Sequence, residues 1–251
     1  MMFLLRVRHC MAFLLLVVCS TEPAAKSSFL AMPIEAKPAG DWAVGDKPPP
    51  LALGDFLKGV EFRAFKPGTV YVVEFWATWC RPCIEEMPHF NKLVKQYPNV
   101  VFLYVDVWDK DPDAVKDFVK RMGDKMNFTI ALDGDQDEDG TGTMAKTWLT
   151  AFGGKGLPST VVIDGTGTVA WMGAPNKIDE PLKAIVAGTW NLASAVQQWK
   201  LRRQIEKAVE TYDARIQESL DAGPEKTAAV LAEYAATLKR LQSEFEAAAK
   251  R

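Results

Sequence analysis

Between residues 60 and 173 the chain alternates short apolar runs with stretches whose apolar residues recur every three or four positions. TVYVVEFW (69–76) and VVFLYVDV (100–107) are nearly continuous apolar, β-branched runs, the pattern of strands covered on both faces. VEFRAF (60–65), FTIAL (128–132), STVVID (159–164) and GTVAWMG (167–173) read as further strands. Turns are predicted at Lys66-Pro67-Gly68 and at Asp164-Gly165-Thr166-Gly167. Helices are predicted over 81–97, 111–122, 143–152 and 178–190. The second has an acidic start and places Val115, Phe118, Val119 and Met122 on one face. This order predicts an α/β fold: a mixed sheet with a parallel βαβ half, an antiparallel hairpin half and helices on both faces.

Beyond about residue 193 the period changes. Leu201, Ile205, Val209, Tyr212, Ile216 and Leu220 form one stripe at alternating spacings of three and four. Leu231, Tyr234, Leu238, Leu241, Phe245 and Ala248 form a second. Asp221-Ala222-Gly223-Pro224 between them reads as a helix stop and restart, so 193–251 is expected to be an α-helical hairpin that packs on the main domain or mediates self-association. At the other end, Arg6, Arg8 and His9 precede the apolar run 11–19, which is short for a bilayer span and suits a signal peptide over 1–20. An uncleaved anchor is the alternative. Either reading exports the chain, to a periplasm or cell envelope. Residues 21–50, rich in Pro, Ala and Gly, are expected to form a linker, leaving 51–192 as the central domain.

Composition narrows the function. Of 251 residues, 48% are hydrophobic and 25% charged, an ordinary globular balance, and the formal net charge of −2 gives no electrostatic case for nucleic acid. Of four cysteines, Cys10 and Cys19 lie in the N-terminal segment, leaving Cys80 and Cys83 in the body. Such a pair can hold a metal, staple a turn, or cycle between dithiol and disulfide. A structural zinc needs four ligands, and the body adds only His89, so neither metal nor cofactor is expected. A staple across so short a loop removes little unfolded-state entropy.

The redox reading has physical support. Cys80 falls where a buried strand gives way to a helix, and a helix N-terminus stabilises a thiolate. Arg81 adds positive charge, and Pro82 is tolerated in a first turn. Cys80 is expected to be the exposed attacking sulfur and Cys83 the shielded resolving one. Glu74, inside an apolar strand, should be buried with a raised pKa, a proton shuttle for Cys83. Glu86, three residues after Cys83, would tune thiol acidity, or be a solvated helix glutamate.

FWATWCRPC followed by IEEMP, then GLPST ahead of VVID, resembles the thioredoxin fold, and more narrowly exported TlpA/ResA-type thiol-disulfide oxidoreductases, over about residues 45–190. The helix and strand over 111–132 fit an insertion carried by that subgroup. The resemblance implies that Pro158 is a cis-proline facing the cysteines. Leu157, Trp79, Arg81 and Pro82 would contact substrate. Substrates would be disulfides of exported proteins, apocytochromes among them, with electrons from a membrane thiol donor. Arg-Pro between the cysteines replaces the Gly-Pro of cytosolic thioredoxins, and these residues help set redox poise. The alternative function is a binding or assembly protein working through its helical hairpin.

Two other motifs are weaker. Asp135, Asp137 and Asp139 before Gly140 resemble a calcium loop, but its twelfth position is Lys146 where a glutamate is needed. FGGKGLP (152–158) lacks the Lys-Ser/Thr of a phosphate loop and reads as the approach to Pro158. Trp42, Trp148, Trp171 and Trp190 are expected to be packing residues.

Overall fold

A computed structural model describes residues 42–149, 153 and 156–249. The signal segment 1–20, linker residues 21–41, and 150–152 of the third predicted helix lie outside the described residues, as do Gly154 and Lys155.

Six strands form one sheet: β1 (Leu53–Lys58), β2 (Val70–Trp76), β3 (Val100–Asp106), β4 (Thr129–Asp133), β5 (Ser159–Ile163) and β6 (Val169–Gly173), in spatial order β1-β4-β3-β2-β5-β6. β2 is parallel to β3, and β3 to β4, while β1–β4, β2–β5 and β5–β6 are antiparallel. The helices are α1 (Arg81–Gln96), α2 (Pro112–Met122), α3 (Thr143–Trp148), α4 (Asp179–Val186), α5 (Leu192–Leu220) and α6 (Pro224–Ala249). The mixed sheet covered on both faces is the architecture the sequence pattern predicts.

Successive residues of a strand face opposite ways, so β2 and β3 serve two separate cores. Val72, Trp76, Phe102 and Tyr104 pack with Met87 and Phe90 of α1, Val115 and Val119 of α2, and Leu182 of α4. Tyr71, Val73, Phe75, Leu103 and Val105 pack with Met144 and Trp148 of α3 and Trp199 of α5. At the tip of the last hairpin the Asp164 carboxylate accepts from the backbone N–H groups of Thr166 and Thr168, and Gly167 takes φ +75°.

Three expectations are corrected. No strand forms over 60–65; β1 lies earlier, at Leu53–Lys58, where it pairs with β4. Phe62 and Phe65 instead lay their rings against Tyr71 at 5.5 and 4.9 Å, so their apolar content is used by side chains in a loop. The last helix of the sheet domain stops at Val186, with Gly188 at φ +69°, and Trp190 turns back to donate to the Ala170 carbonyl. Residues 42–50 are folded onto the domain. Trp42 and Val44 are buried, the Trp42 indole donates to Thr147 O at 2.9 Å, and Gly45 and Asp46 exchange backbone hydrogen bonds with Val169. The apolar residues of that stretch outweigh its Pro and Gly content.

The C-terminal hairpin forms as the stripes require. Leu201, Leu241 and Ala248 are its buried centre, Tyr212 meets Tyr234 at 5.1 Å, and Arg215 grips Glu233 through both guanidinium nitrogens. Ala195 and Trp199 at the start of α5 join the core beneath the sheet. The hairpin therefore packs on the main domain, and much of its apolar stripe is used within the chain.

Candidate active site

Cys80 is the N-cap of α1, and its sulfur accepts the Cys83 N–H at 3.3 Å. Pro82 sits in the first turn, where a backbone N–H has no helical partner to lose. Cys80 and Cys83 are joined in a disulfide with Cα atoms 5.3 Å apart. Both are buried, Cys80 at 4% exposure and Cys83 at 1%. This corrects the expectation of an exposed Cys80: in the disulfide form Cys80 is only marginally more exposed than Cys83. Trp79 beside it is 60% exposed, an open apolar surface at the rim.

The turn carrying the cysteines is held by the segment after β3. Thr78 donates through its N–H and its hydroxyl to Asp109, at 2.7 and 2.8 Å. The Trp79 indole donates to Trp108 O at 3.4 Å, and Trp108 itself has φ +63°. Neither Trp108 nor Asp109 was singled out in the sequence. The acidic cluster VDVWDKD carried a signal, but which member would face the turn depends on how the chain leaves β3.

Leu157–Pro158 is a cis peptide, and Leu157 packs against the cluster that includes both cysteines. Ser159 and Thr160 then enter β5 beside β2. Arg81 is exposed at the helix start and is paired with Glu85 at 2.7 Å.

Glu74 lies on β2 between Tyr104 of β3 and Thr160 of β5, on the face toward the cysteines, and is 1% exposed. The Thr160 hydroxyl donates to its Oε2. Burial pushes its carboxyl from near 4.5 up to about 8; the Thr160 hydrogen bond opposes this, and the negative charge of Glu86 adds to it. A carboxyl poised near neutrality, rather than fully ionised, can accept a thiol proton and release it again. Glu86 is half-buried on α1, with Oε2 3.2 Å from His89 Nδ1.

Three further polar groups share this face. Tyr104 and Asp106 are cross-strand partners of Glu74 and Trp76. The Tyr104 hydroxyl and the Trp76 indole N–H are buried without a hydrogen-bond partner. Burial drives the Asp106 carboxyl up to about 9, with Asp109 and Asp133 pushing the same way. Asp133 is different: it accepts from Met144 N and Ala145 N at 2.7 and 2.8 Å, capping α3. In the acidic loop, Asp137 is taken by the N–H groups of Asp139 and Thr141 and by Lys146 at 3.0 Å.

The AhpC/TSA family profile matches residues 44–172. Protein FixW of Rhizobium leguminosarum is 27% identical over 168 residues, 66% of this chain and 75% of FixW. Thiol-disulfide oxidoreductase ResA of Geobacillus thermodenitrificans (strain NG80-2) is 36% identical over 130 residues, 51% of this chain and 67% of ResA. ResA of Bacillus anthracis is 33% identical over 129 residues, 50% of this chain and 66% of that protein. Among solved structures, a thioredoxin-family thiol:disulfide interchange protein from Chlorobium tepidum TLS is 23% identical, with 57% of this chain and 98% of that one covered and a TM-score of 0.42. The matched span holds the Cys-x-x-Cys turn, the cis-proline and the buried glutamate, and the chain belongs to the AhpC/TSA family as a thioredoxin-like thiol-disulfide oxidoreductase.

Proposed function

We propose that the protein is exported and reduces disulfides in partner proteins outside the cytosol. Disulfides of apocytochromes are one candidate substrate, and a membrane thiol donor resupplies electrons. The observation that carries this reading is the grouping of three features around the buried cluster that holds both cysteines. Cys80 caps α1, the Leu157–Pro158 cis peptide lies in the adjoining loop, and the buried Glu74 sits on the face beneath. The relatives named ResA support the thiol-disulfide chemistry.

In the reduced protein the Cys80 thiolate attacks one sulfur of a partner disulfide, and the other leaves as a thiolate. The helix N-terminus stabilises the Cys80 thiolate before attack. Glu74 takes the Cys83 proton, and the Cys83 thiolate attacks Cys80. The Cys80–Cys83 disulfide forms and the second partner thiol departs. Trp79, Leu157, Arg81 and Pro82 form the rim a partner chain would meet. The helical hairpin, outside the matched span, is the part suited to choosing the partner.

Turnover of a small aromatic disulfide by the reduced protein tests this reading. Cys80→Ser should abolish exchange, and Cys83→Ser should stop after one event with a trapped mixed disulfide. Full turnover by Cys80→Ser would remove the basis of the reading.

A further inference from the structure

One cluster near the cysteines is unused by these steps. His89, one turn beyond Glu86 on α1, stands between two carboxylates. Its Nδ1 is 3.2 Å from Glu86 Oε2, and its Nε2 is 3.0 Å from Asp179 Oδ1 at the start of α4. A neutral imidazole has one N–H to donate. With an acceptor on each nitrogen, both contacts are hydrogen bonds only if one more proton resides on the trio, on the ring or on a carboxyl. A proton taken up by the trio would therefore complete both contacts. Exposure grades outward: Glu74 is 1% exposed, the Glu86 and His89 side chains 27% and 26%, and that of Asp179 60%.

We propose that His89, braced by Asp179, acts through Glu86 as a proton relay between buried Glu74 and solvent. This rests on the thiol-exchange reading above. Glu74 is buried between β3 and β5, and among the described residues the Thr160 hydroxyl is its hydrogen-bond donor. The negative charge of Glu86 already reaches it and holds its proton more tightly.

When Cys83 gives its proton to the Glu74 carboxylate, that proton must leave before the next cycle. Glu86 accepts it and passes it to His89 Nδ1, as the Nε2 proton moves to Asp179 and then to water. One proton enters and one leaves, and no electrons move along this path. The charged groups in contact with the imidazole are Glu86 on its own helix and Asp179 on α4, and the edge of Phe90 covers a further side.

The test uses the full-length reduced protein and a small aromatic disulfide. The readout is the rate of Cys80–Cys83 closure, followed by Trp fluorescence from acid to alkaline pH. His89→Ala should slow closure about tenfold near neutral pH, less than the roughly 10²–10⁴ lost with a general acid or base itself. It should displace the pH profile, and added imidazole should restore the rate. Asp179→Asn, on an exposed side chain, should displace the profile in the same direction by a smaller amount, which covers the case of His89→Ala failing to fold. Parental profiles in both variants, with only a lower Tm for His89→Ala, would make His89 a staple between α1 and α4 and overturn the proposal. If Glu74→Gln slows closure while both variants stay parental, the exchange reading survives and the proton path does not. If the parent shows no closure, both fall.

Discussion

The two faces of the central strands teach opposite lessons from the same residues of chain. On one face Tyr71, Val73, Phe75, Leu103 and Val105 build a core whose polar atom is provided for: the Tyr71 hydroxyl accepts Lys66 N–H at 2.9 Å. On the other, Glu74, Trp76, Tyr104 and Asp106 bring four polar groups into a buried environment, and the Trp76 indole N–H and Tyr104 hydroxyl have no hydrogen-bond partner there. Buried polar groups without partners cost stability, on the order of 1–3 kcal/mol each. One face is arranged for packing. The face under the cysteines gives up packing energy and keeps groups that hold protons.

The largest effect should come from breaking the packing face. Leu103→Ala removes a fully buried side chain and should cost about 2–5 kcal/mol in denaturant unfolding, with the exchange rate per folded molecule unchanged. A changed rate would mean that the two faces are not separate in function.

Next comes Glu74→Gln, which should slow Cys83-dependent closure about a hundredfold at neutral pH. It should also flatten the stability profile. A carboxyl at about 8 when folded and near 4.5 when unfolded favours the folded state fully below about 4.5, an advantage lost as pH rises to 8. Glutamine has no proton to lose, so the variant's stability relative to the parent should rise across that window. The same sign holds for Asp106→Asn between about 4 and 9. A relative stability that falls with rising pH would contradict the buried, protonated carboxyls.

The smallest effect sharpens the contrast. Tyr71→Phe should lose about 1 kcal/mol with its hydrogen bond. Tyr104→Phe removes a hydroxyl with no partner and should be neutral or stabilising. Equal losses in thermal unfolding would show that both hydroxyls are satisfied.

Much of this was legible in the sequence because it is local. Strands β2 to β6 announced themselves by apolar runs, the hairpin by its period, and the cysteine turn by a strand ending at Trp76 with Pro82 after it. Glu74 stood out because a charge inside an apolar strand cannot escape burial. What was missed depends on long-range register. Thr160 matters because β5 lies beside β2, Asp106 because it pairs with Trp76, and Asp109 because the chain after β3 folds over Thr78. β1 was misplaced because Phe62 and Phe65 imitate a strand while serving as loop anchors. His89, weighed in the sequence only as a metal ligand, gained its second partner from α4, 90 residues away.

The reduction potential of the Cys80–Cys83 couple tests the central claim most directly. It is read from Trp fluorescence across a dithiothreitol redox buffer. A disulfide reductase should titrate as a single two-electron couple near the roughly −270 mV of thioredoxin. A couple near about −120 mV would make the protein an oxidant, and no titration at all would contradict a redox role for the pair.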